Sequence, residues 1–324
     1  MIESSAFQVI EDLANERHMR DLLLKMGTAK FGPPTDDQAA KLAGIDKLDW
    51  LDQLVARLFK VNTWDGLLRA RWLAKPLRGL TMTEEEWLAC TNVELMLKFL
   101  QSKVSDRKLR YFALACCGRI VDLIVDRRAG AAIEFAEQFA DVGAARKRGR
   151  PAIRKAADLL CREWEQARWR MTDEKEKARC LIAGTAARAA NATLESSAWL
   201  SAKWASSFSA SARAWEWIIA HKPDSLPDFD HIAGRSKQFE QVPLIHDIFG
   251  NPFRPIAVDL SWLTSTVSFL AEGIYADRAF DRLPILADAL QDAGCDNDDI
   301  LDHCRGPGPH VRGCWVVDFL TGRK

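Results

Sequence analysis

The sequence lacks a net charge, because 45 Lys and Arg residues balance 45 Asp and Glu residues in a chain of 324. The field of the whole chain therefore does not draw it to nucleic acid, and any such binding would be local. The sequence also lacks the run of roughly 20 apolar residues that a membrane-spanning helix needs. At the N-terminus there is no basic start followed by an apolar core, as a secretory signal would have. We therefore predict a cytoplasmic protein without membrane contact.

Catalytic signatures are missing as well. None of the six histidines stands in an HExxH or nucleophile-elbow context. The eight cysteines form no CxxC pair, and their scattered positions are typical of reduced thiols that pack as small hydrophobes. No nucleophile, base and orienting group can be assigned together. We therefore predict that the protein is not an enzyme and needs no cofactor.

Strand signals are absent, since no sustained alternation of β-branched residues occurs. Helix starts are instead clear at Thr35–Gln38, Thr83–Glu86 and Thr91–Glu94, where a threonine stands three residues before Glu or Gln as in a capping box. These signals predict an all-α fold, a multi-helix bundle with a small N-terminal helical module and a C-terminal helical cap.

One predicted helix has a single apolar stripe. It lies within residues 105–126, and its pattern turns Arg107 and Lys108 away from the buried face. The apolar positions at helical spacing are Leu109, Phe112, Ala113, Cys116, Ile120, Leu123 and Ile124.

Composition divides the chain into three predicted domains. They are an N-terminal helical module over residues 1–75, a central helical bundle over 80–222, and a linker with a C-terminal helical domain over 223–324. The linker is predicted from two prolines and several turn-forming residues in 221–236.

An Ala/Ser/Trp-rich tract ends the central domain at residues 172–221. Its small residues recur at helical spacing and would let a neighbouring helix approach closely, as in a helical hairpin. Trp199, Trp204 and Trp217 lie off that stripe. They have two interpretations, ordinary packing inside the protein or a face for a partner.

Two resemblances refine this map. Residues 21–68, with "KFGPP" and the closing "WDGLL", resemble a short helical domain of unknown function that trails many bacterial proteins, including recombination-promoting nucleases related to transposases. This resemblance implies an accessory helical module without chemistry of its own. "TEEEWLACT", "DRKLRYFALACC", "IFGNPFRP" and "HCRGPGPHVRGCWVVD" are similar to a paralogous family of uncharacterised planctomycete helical proteins. That resemblance implies a common helical architecture and transfers no activity.

A basic segment, "RKRGRPAIRK" at residues 146–155, resembles an AT-hook. In that interpretation Arg148 and Arg150 enter the DNA minor groove, and Gly149 lets the backbone lie close to its floor. The DNA-binding set is Lys147, Arg148, Gly149, Arg150, Arg154 and Lys155. The alternative is a solvated basic linker, with Pro151 in the first turn of the next helix.

The C-terminal region contains two further candidate sites. Five soft ligands, sufficient for one Zn²⁺, are Cys295, His303, Cys304, His310 and Cys314. Their spacing differs from that of a zinc knuckle, so the alternative is thiols packed in a helical domain. Arg305 and Arg312 flank a glycine-rich segment that could bind an anion, or that could be a rigid turn between helices.

These observations predict a non-catalytic protein that acts by binding another macromolecule. An unidentified protein partner is the first expectation. A DNA-associated protein that uses the Arg-Gly-Arg-Pro segment is the alternative.

Overall fold

The computed structural model describes residues 20–21, 23–43, 54, 61–68, 82–101, 103–142, 150–221, 241–256 and 259–323. Throughout these residues the regular structure is helical and no strand occurs, which confirms the predicted all-α class. The chain divides into two compact units, Met1–Arg78 and Gly79–Lys324. In the described part of the chain, no helix combines the length and the apolar character needed to cross a membrane.

The N-terminal unit is built around one tryptophan. Residues 23–31 are helical, and the helices α1 (Asp36–Ala43) and α2 (Trp64–Leu68) follow. The indole of Trp64 is buried with Leu23, Leu42 and Leu67, and its Nε1 donates to the Gly32 carbonyl at 2.8 Å. This small core gives the module its own hydrophobic centre.

The larger unit contains the remaining α-helices that the structure describes. They are α3 (Glu84–Ala89), α4 (Val93–Leu100), α5 (Asp106–Gly118), α6 (Arg127–Val142), α7 (Arg150–Arg170), α8 (Glu174–Ala192), α9 (Ala198–His221), α10 (Val242–Phe249), α11 (Ser265–Asp277), α12 (Leu283–Asp292), α13 (Asp298–Arg305) and α14 (Trp315–Leu320).

Two of the three predicted capping boxes form as expected. Thr35 pairs reciprocally with Gln38, and Thr83 with Glu86. The third helix is capped one residue later, because the Asn92 side chain accepts from the amides of residues 94 and 95. Asparagine competes well with threonine at this position, since its short carbonyl reaches the same free amides.

The Ala/Ser/Trp-rich tract forms α8 and α9, which pack along each other. Ala186, Ala189, Ala205 and Ala212 are fully buried between them and their neighbours. Small side chains allow this close approach, as the sequence predicts.

The predicted division between a central and a C-terminal domain is wrong, because residues 79–324 form one compact unit. Helix α10 packs against α4, α5 and α14. Its residues Leu244, Ile245 and Ile248 share a hydrophobic cluster with Phe112. The sequence predicts a boundary at the linker 221–236, of which residues 222–236 lie outside the described part of the chain.

Candidate metal centre

Four potential metal ligands from separate parts of the larger unit meet beside α10. They are the carboxylate of Asp247, the imidazoles of His303 and His310, and the thiol of Cys314, and their ligand atoms all lie within 4.8 Å of one another. His303 Nε2 lies 3.2 Å from Cys314 Sγ and 3.2 Å from Asp247 Oδ1. His310 Nδ1 lies 2.8 Å from the same Asp247 oxygen. The four groups therefore face a common point.

Three structural elements bring these ligands together. Asp247 lies on α10, where the apolar face of the helix buries it among Leu244 and Ile248. His303 lies on α13, whose first turn is capped by Asn297. His310 follows this helix in a turn, and Cys314 is the N-cap residue of α14.

Glycines shape the turn that carries His310. Gly308 has φ +77°, and a Cβ there would lie 2.8 Å from the His310 backbone nitrogen. Gly313 has φ +91°, and a Cβ there would lie 2.8 Å from the Cβ of Tyr111. Only glycine fits both the backbone conformation and the space at these positions.

The two contacts of His303 have a spacing close to that of ligands around a tetrahedral ion. Zinc ligands at their usual bond lengths lie about 3.3 to 3.8 Å apart along the edges of a tetrahedron. The two contacts of His303 Nε2, both at 3.2 Å, are close to that range. The shorter distance between Asp247 and His310 is that of a hydrogen bond, which a bound ion would lengthen by a few tenths of an ångström.

Asp247, His303 and His310 each have a further contact outside the cluster, which orients the side chain. The second oxygen of Asp247 accepts from the Val311 amide at 2.9 Å. His310 Nε2 lies 3.3 Å from the Gly306 carbonyl, so Nδ1 is left to face the centre. The ring of His303 contacts the indole of Trp315, with ring centroids 5.2 Å apart. Such contacts on the far side of each ligand are typical of metal sites in proteins.

The ionisation of the cluster is strongly perturbed. Burial alone would raise the pKa of Asp247, but hydrogen bonds and charge from His303 and His310 lower it below its usual value. Burial opposes protonation of His310, but the hydrogen bond and charge of Asp247 outweigh it and raise the pKa. Burial raises the pKa of the Cys314 thiol well above its usual range, and the nearby Asp247 carboxylate adds to the shift.

Three of the four clustered side chains are among the zinc ligands predicted from the sequence. His303, His310 and Cys314 belong to the predicted zinc set, whereas Cys295 and Cys304 do not join the cluster, because both pack among apolar side chains of the C-terminal core. Asp247 was missed. Its signal in the sequence is a carboxylate three residues after Leu244, on the face of the helix that must be buried.

The two arginines of the predicted anion site both form ion pairs or hydrogen bonds within the protein. Arg305 donates to Asp288 at 2.8 Å and to Gln291 at 2.7 Å. Arg312 donates to Glu137 at 3.3 Å, and its guanidinium lies 4.8 Å from the centre of the Tyr275 ring. Both guanidinium groups therefore have partners within the protein, and the glycine-rich segment carries His310 into the Asp-His-His-Cys cluster.

Two arginines of the predicted DNA-binding set have partners within the protein. Arg150 is the first residue of α7, and its guanidinium donates to the Leu194 carbonyl while lying over the ring of Phe139. Arg154 forms an ion pair with Glu195 at 2.8 Å. Insertion into a minor groove would break these contacts.

The remaining residues of the predicted DNA-binding set are not tested by the described structure. Lys155 is exposed on α7. Lys147, Arg148 and Gly149 lie outside the described residues.

The three tryptophans predicted as a partner face all lie on α9. Each is partly buried, and Trp199, Trp204 and Trp217 pack against three different hydrophobic clusters. Ordinary packing within the bundle, the alternative given by the sequence, accounts for these positions.

The class defined by this architecture is an all-α protein with a buried Asp-His-His-Cys cluster of metal-ligand type. No protein family, curated protein or solved structure matches the chain. The two resemblances noted in the sequence therefore stay predictions.

Proposed function

We propose that Asp247, His303, His310 and Cys314 bind one Zn²⁺, and that the ion stabilises a non-catalytic helical protein. The observation that carries this proposal is the convergence of four ligand atoms within 4.8 Å, one from α10 and three from the segment 303–314. Asp247 and His303 are 56 positions apart in the chain numbering. Helix packing alone does not require imidazole, thiol and carboxylate groups to meet at one point.

The ligand chemistry favours zinc. One thiolate and one carboxylate carry two negative charges, which balance the charge of a divalent ion, and two neutral imidazoles complete a tetrahedron. Thiolate and imidazole are poor ligands for Mg²⁺ or Ca²⁺, which prefer oxygen. A buried site with balanced charge costs less than one that leaves a net charge in the interior.

The closed geometry supports a structural role for the ion. Four protein ligands fill a tetrahedron and leave no open position for water or substrate, as catalytic zinc requires. The side chain of Asp247 is 2% exposed, and Cys314 is fully buried. A bound ion would tie α10, α13 and α14 together, and would act as a cross-link in a part of the unit made of short helices.

Protein purified without chelator is expected to contain about one Zn²⁺ per chain by elemental analysis. Replacement by Co²⁺ is expected to give a thiolate-to-cobalt charge-transfer band and tetrahedral d–d bands. Because the four ligands leave no vacant position, adding azide should leave the d–d bands unchanged. A zinc content near zero after reconstitution, or a cobalt spectrum without a thiolate band, would contradict the proposed site.

Stability should depend on pH in opposite directions with and without zinc. In the chelated protein, the raised pKa of His310 means that its ion pair with Asp247 stabilises the fold below the unfolded histidine value of about 6.5. That stability is lost as the pH rises through the folded pKa. Zinc binding displaces protons from Cys314 and His310, so zinc affinity should rise about tenfold per pH unit for each proton released.

Thermal melts between about pH 6 and pH 8, with zinc and with chelator, test this dependence. The difference in Tm between the two forms is expected to widen as the pH rises. A difference that stays constant or narrows would show that these two groups do not lose protons to the metal. The lowered pKa of Asp247 affects stability only at acid pH. The stability that the ionised carboxylate contributes is lost as the pH falls through its pKa in the folded protein.

The expectation of a macromolecular partner stays a prediction. A structural metal is consistent with it, because an ion that cross-links short helices would give a binding protein a defined surface.

A further inference from the structure

A cavity of about 980 Å³ lies in the larger unit, beside the metal centre. The end of α3, the start of α5, the segment after α10, and helices α13 and α14 enclose it. His303 and Trp315 belong to both sites, since each lines the cavity and their rings contact each other. The volume is at the upper end of the range typical for small-molecule sites.

The walls of the cavity are largely apolar and aromatic. Their main apolar members are Leu88, Phe249, Ile256, Trp315 and Phe319. Such walls favour a flat apolar body, because aromatic faces and aliphatic side chains both gain by excluding water from it.

The charges on the walls compensate one another. Lys108 lies 2.7 Å from the Asp318 carboxylate. Arg254 is paired with Glu84 at 2.5 Å and reaches Asp299 at 3.5 Å. A charged ligand would have to displace one of these partners or remain uncompensated in a partly dry site.

Arg323, the third Lys or Arg residue of the walls, is also paired with a carboxylate. Arg323 is paired with Glu272 at 2.8 Å, and its guanidinium lies 3.9 Å from the centre of the Tyr275 ring. A neutral ligand avoids the cost of separating any of these pairs.

Two polar groups on the walls have unused hydrogen-bonding capacity. Among the described residues, the His246 imidazole lines the cavity, has a ring contact with Trp87 and forms no hydrogen bond. Asp318 uses one carboxylate oxygen for Arg107 and Lys108, while the other is buried and finds no partner among the described residues. Its side chain is 2% exposed. A buried carboxylate oxygen without a donor is costly, and a ligand N–H or O–H group would satisfy it.

We infer that this cavity binds a neutral, planar aromatic molecule that carries a hydrogen-bond donor. The aromatic body lies among the apolar walls, and the donor is directed to Asp318 or His246. The inference does not depend on the proposed zinc function, because neither His246 nor Asp318 is a proposed metal ligand, although His303 belongs to both sites.

The test uses three probes of matched size, namely 2-naphthol, 2-naphthoate and 2-naphthylmethylammonium. Calorimetry with the full-length protein is expected to show one binding site for 2-naphthol, with affinity at least about tenfold higher than for either charged probe. Arg107 and Lys108 already balance the charge of Asp318, so neither charged probe finds an unbalanced opposite charge to offset its desolvation. Preference for either charged probe would overturn the inferred ligand class. Absence of 2-naphthol binding up to its solubility limit would overturn the site.

Two variants locate the binding. Leu88→Glu places a carboxylate at the edge of the cavity, where the native side chain is 57% exposed, and is expected to weaken 2-naphthol binding about tenfold or more. Leu159→Glu on α7, at a position 42% exposed and outside the cavity, is the matched control and should bind as the native protein does. Equal binding by the two variants would overturn the location.

His246→Phe keeps an aromatic ring against Trp87 and removes the imidazole nitrogens. It is expected to weaken binding of 2-naphthol and to leave 2-methylnaphthalene unaffected, which a general loss of structure would not do. If both probes bind more weakly by the same factor, or if neither binds more weakly, His246 has no hydrogen-bonding role.

Discussion

Replacing Asp247 by alanine is expected to abolish zinc binding and to destabilise the larger unit by about 3–5 kcal/mol even in chelator. The carboxylate is the common partner of His303, His310 and the Val311 amide. Removing it leaves these groups buried without their partner, which costs more than the loss of any single hydrogen bond. In the presence of zinc the difference from the native protein should be larger, because the native protein also gains the free energy of metal binding.

Urea unfolding followed by circular dichroism, with zinc and with chelator, measures both parts of this effect. Asp302→Ala is the matched control, since Asp302 is an exposed carboxylate next to His303 in the sequence. Asp247→Asn keeps the shape of the side chain and should retain more stability in chelator than alanine does, while still binding zinc weakly. A zinc content equal to that of the native protein in Asp247→Ala would exclude Asp247 as a ligand.

Replacing Arg107 by alanine is expected to cost about 3–5 kcal/mol of unfolding free energy, because it breaks a buried ion-pair network. Arg107 donates to Asp318 at 2.6 Å, to the Tyr275 hydroxyl at 2.9 Å and to Asp141 at 3.2 Å. Its guanidinium also lies 4.7 Å from the centre of the Tyr111 ring. Burial by itself would lower the pKa of Arg107, but these acidic partners raise it, so the group is charged at every pH of interest.

The substitution Arg107→Lys distinguishes the contribution of the positive charge from that of the planar guanidinium. Lysine keeps the positive charge but has no planar fork to reach three partners at once, so an intermediate loss of stability is expected. Arg305→Ala is the control. Arg305 forms an exposed pair with Asp288, which is worth about 0–1 kcal/mol at most. If Arg107→Ala and Arg305→Ala unfold at the same urea concentration, the network does not stabilise the fold.

The two tyrosines of the chain show how this network joins distant parts of the sequence. The hydroxyls of Tyr111 on α5 and Tyr275 on α11 lie 3.0 Å apart, and Tyr275 donates to Asp141 on α6 at 2.6 Å. Burial, together with the hydrogen bonds to Asp141, raises the pKa of both phenols. Both therefore remain neutral hydrogen-bond donors at physiological pH.

Much of the fold was predictable from the sequence because helices are local structures. Capping pairs and apolar stripes act over three or four residues, so Thr83 and Glu86 mark a helix start in any context that allows the helix to form. The buried stripe of α5, with Leu109, Phe112 and Cys116, follows from the same short-range pattern. The predicted zinc ligands His303, His310 and Cys314 were also recognisable, because they lie within a few residues of one another.

Only the tertiary structure decided which polar side chains are buried. The helical pattern turns Arg107 and Lys108 away from the apolar stripe of α5, yet they are 13% and 15% exposed. The reason is that α14, more than 200 positions later in the chain, brings Asp318 to that face. Asp247 likewise becomes a potential metal ligand only when α10 packs beside the turn that carries His310. Helix formation depends on neighbours in the sequence. An ion pair or a metal site depends on which distant elements pack together, and a local sequence pattern does not predict that packing.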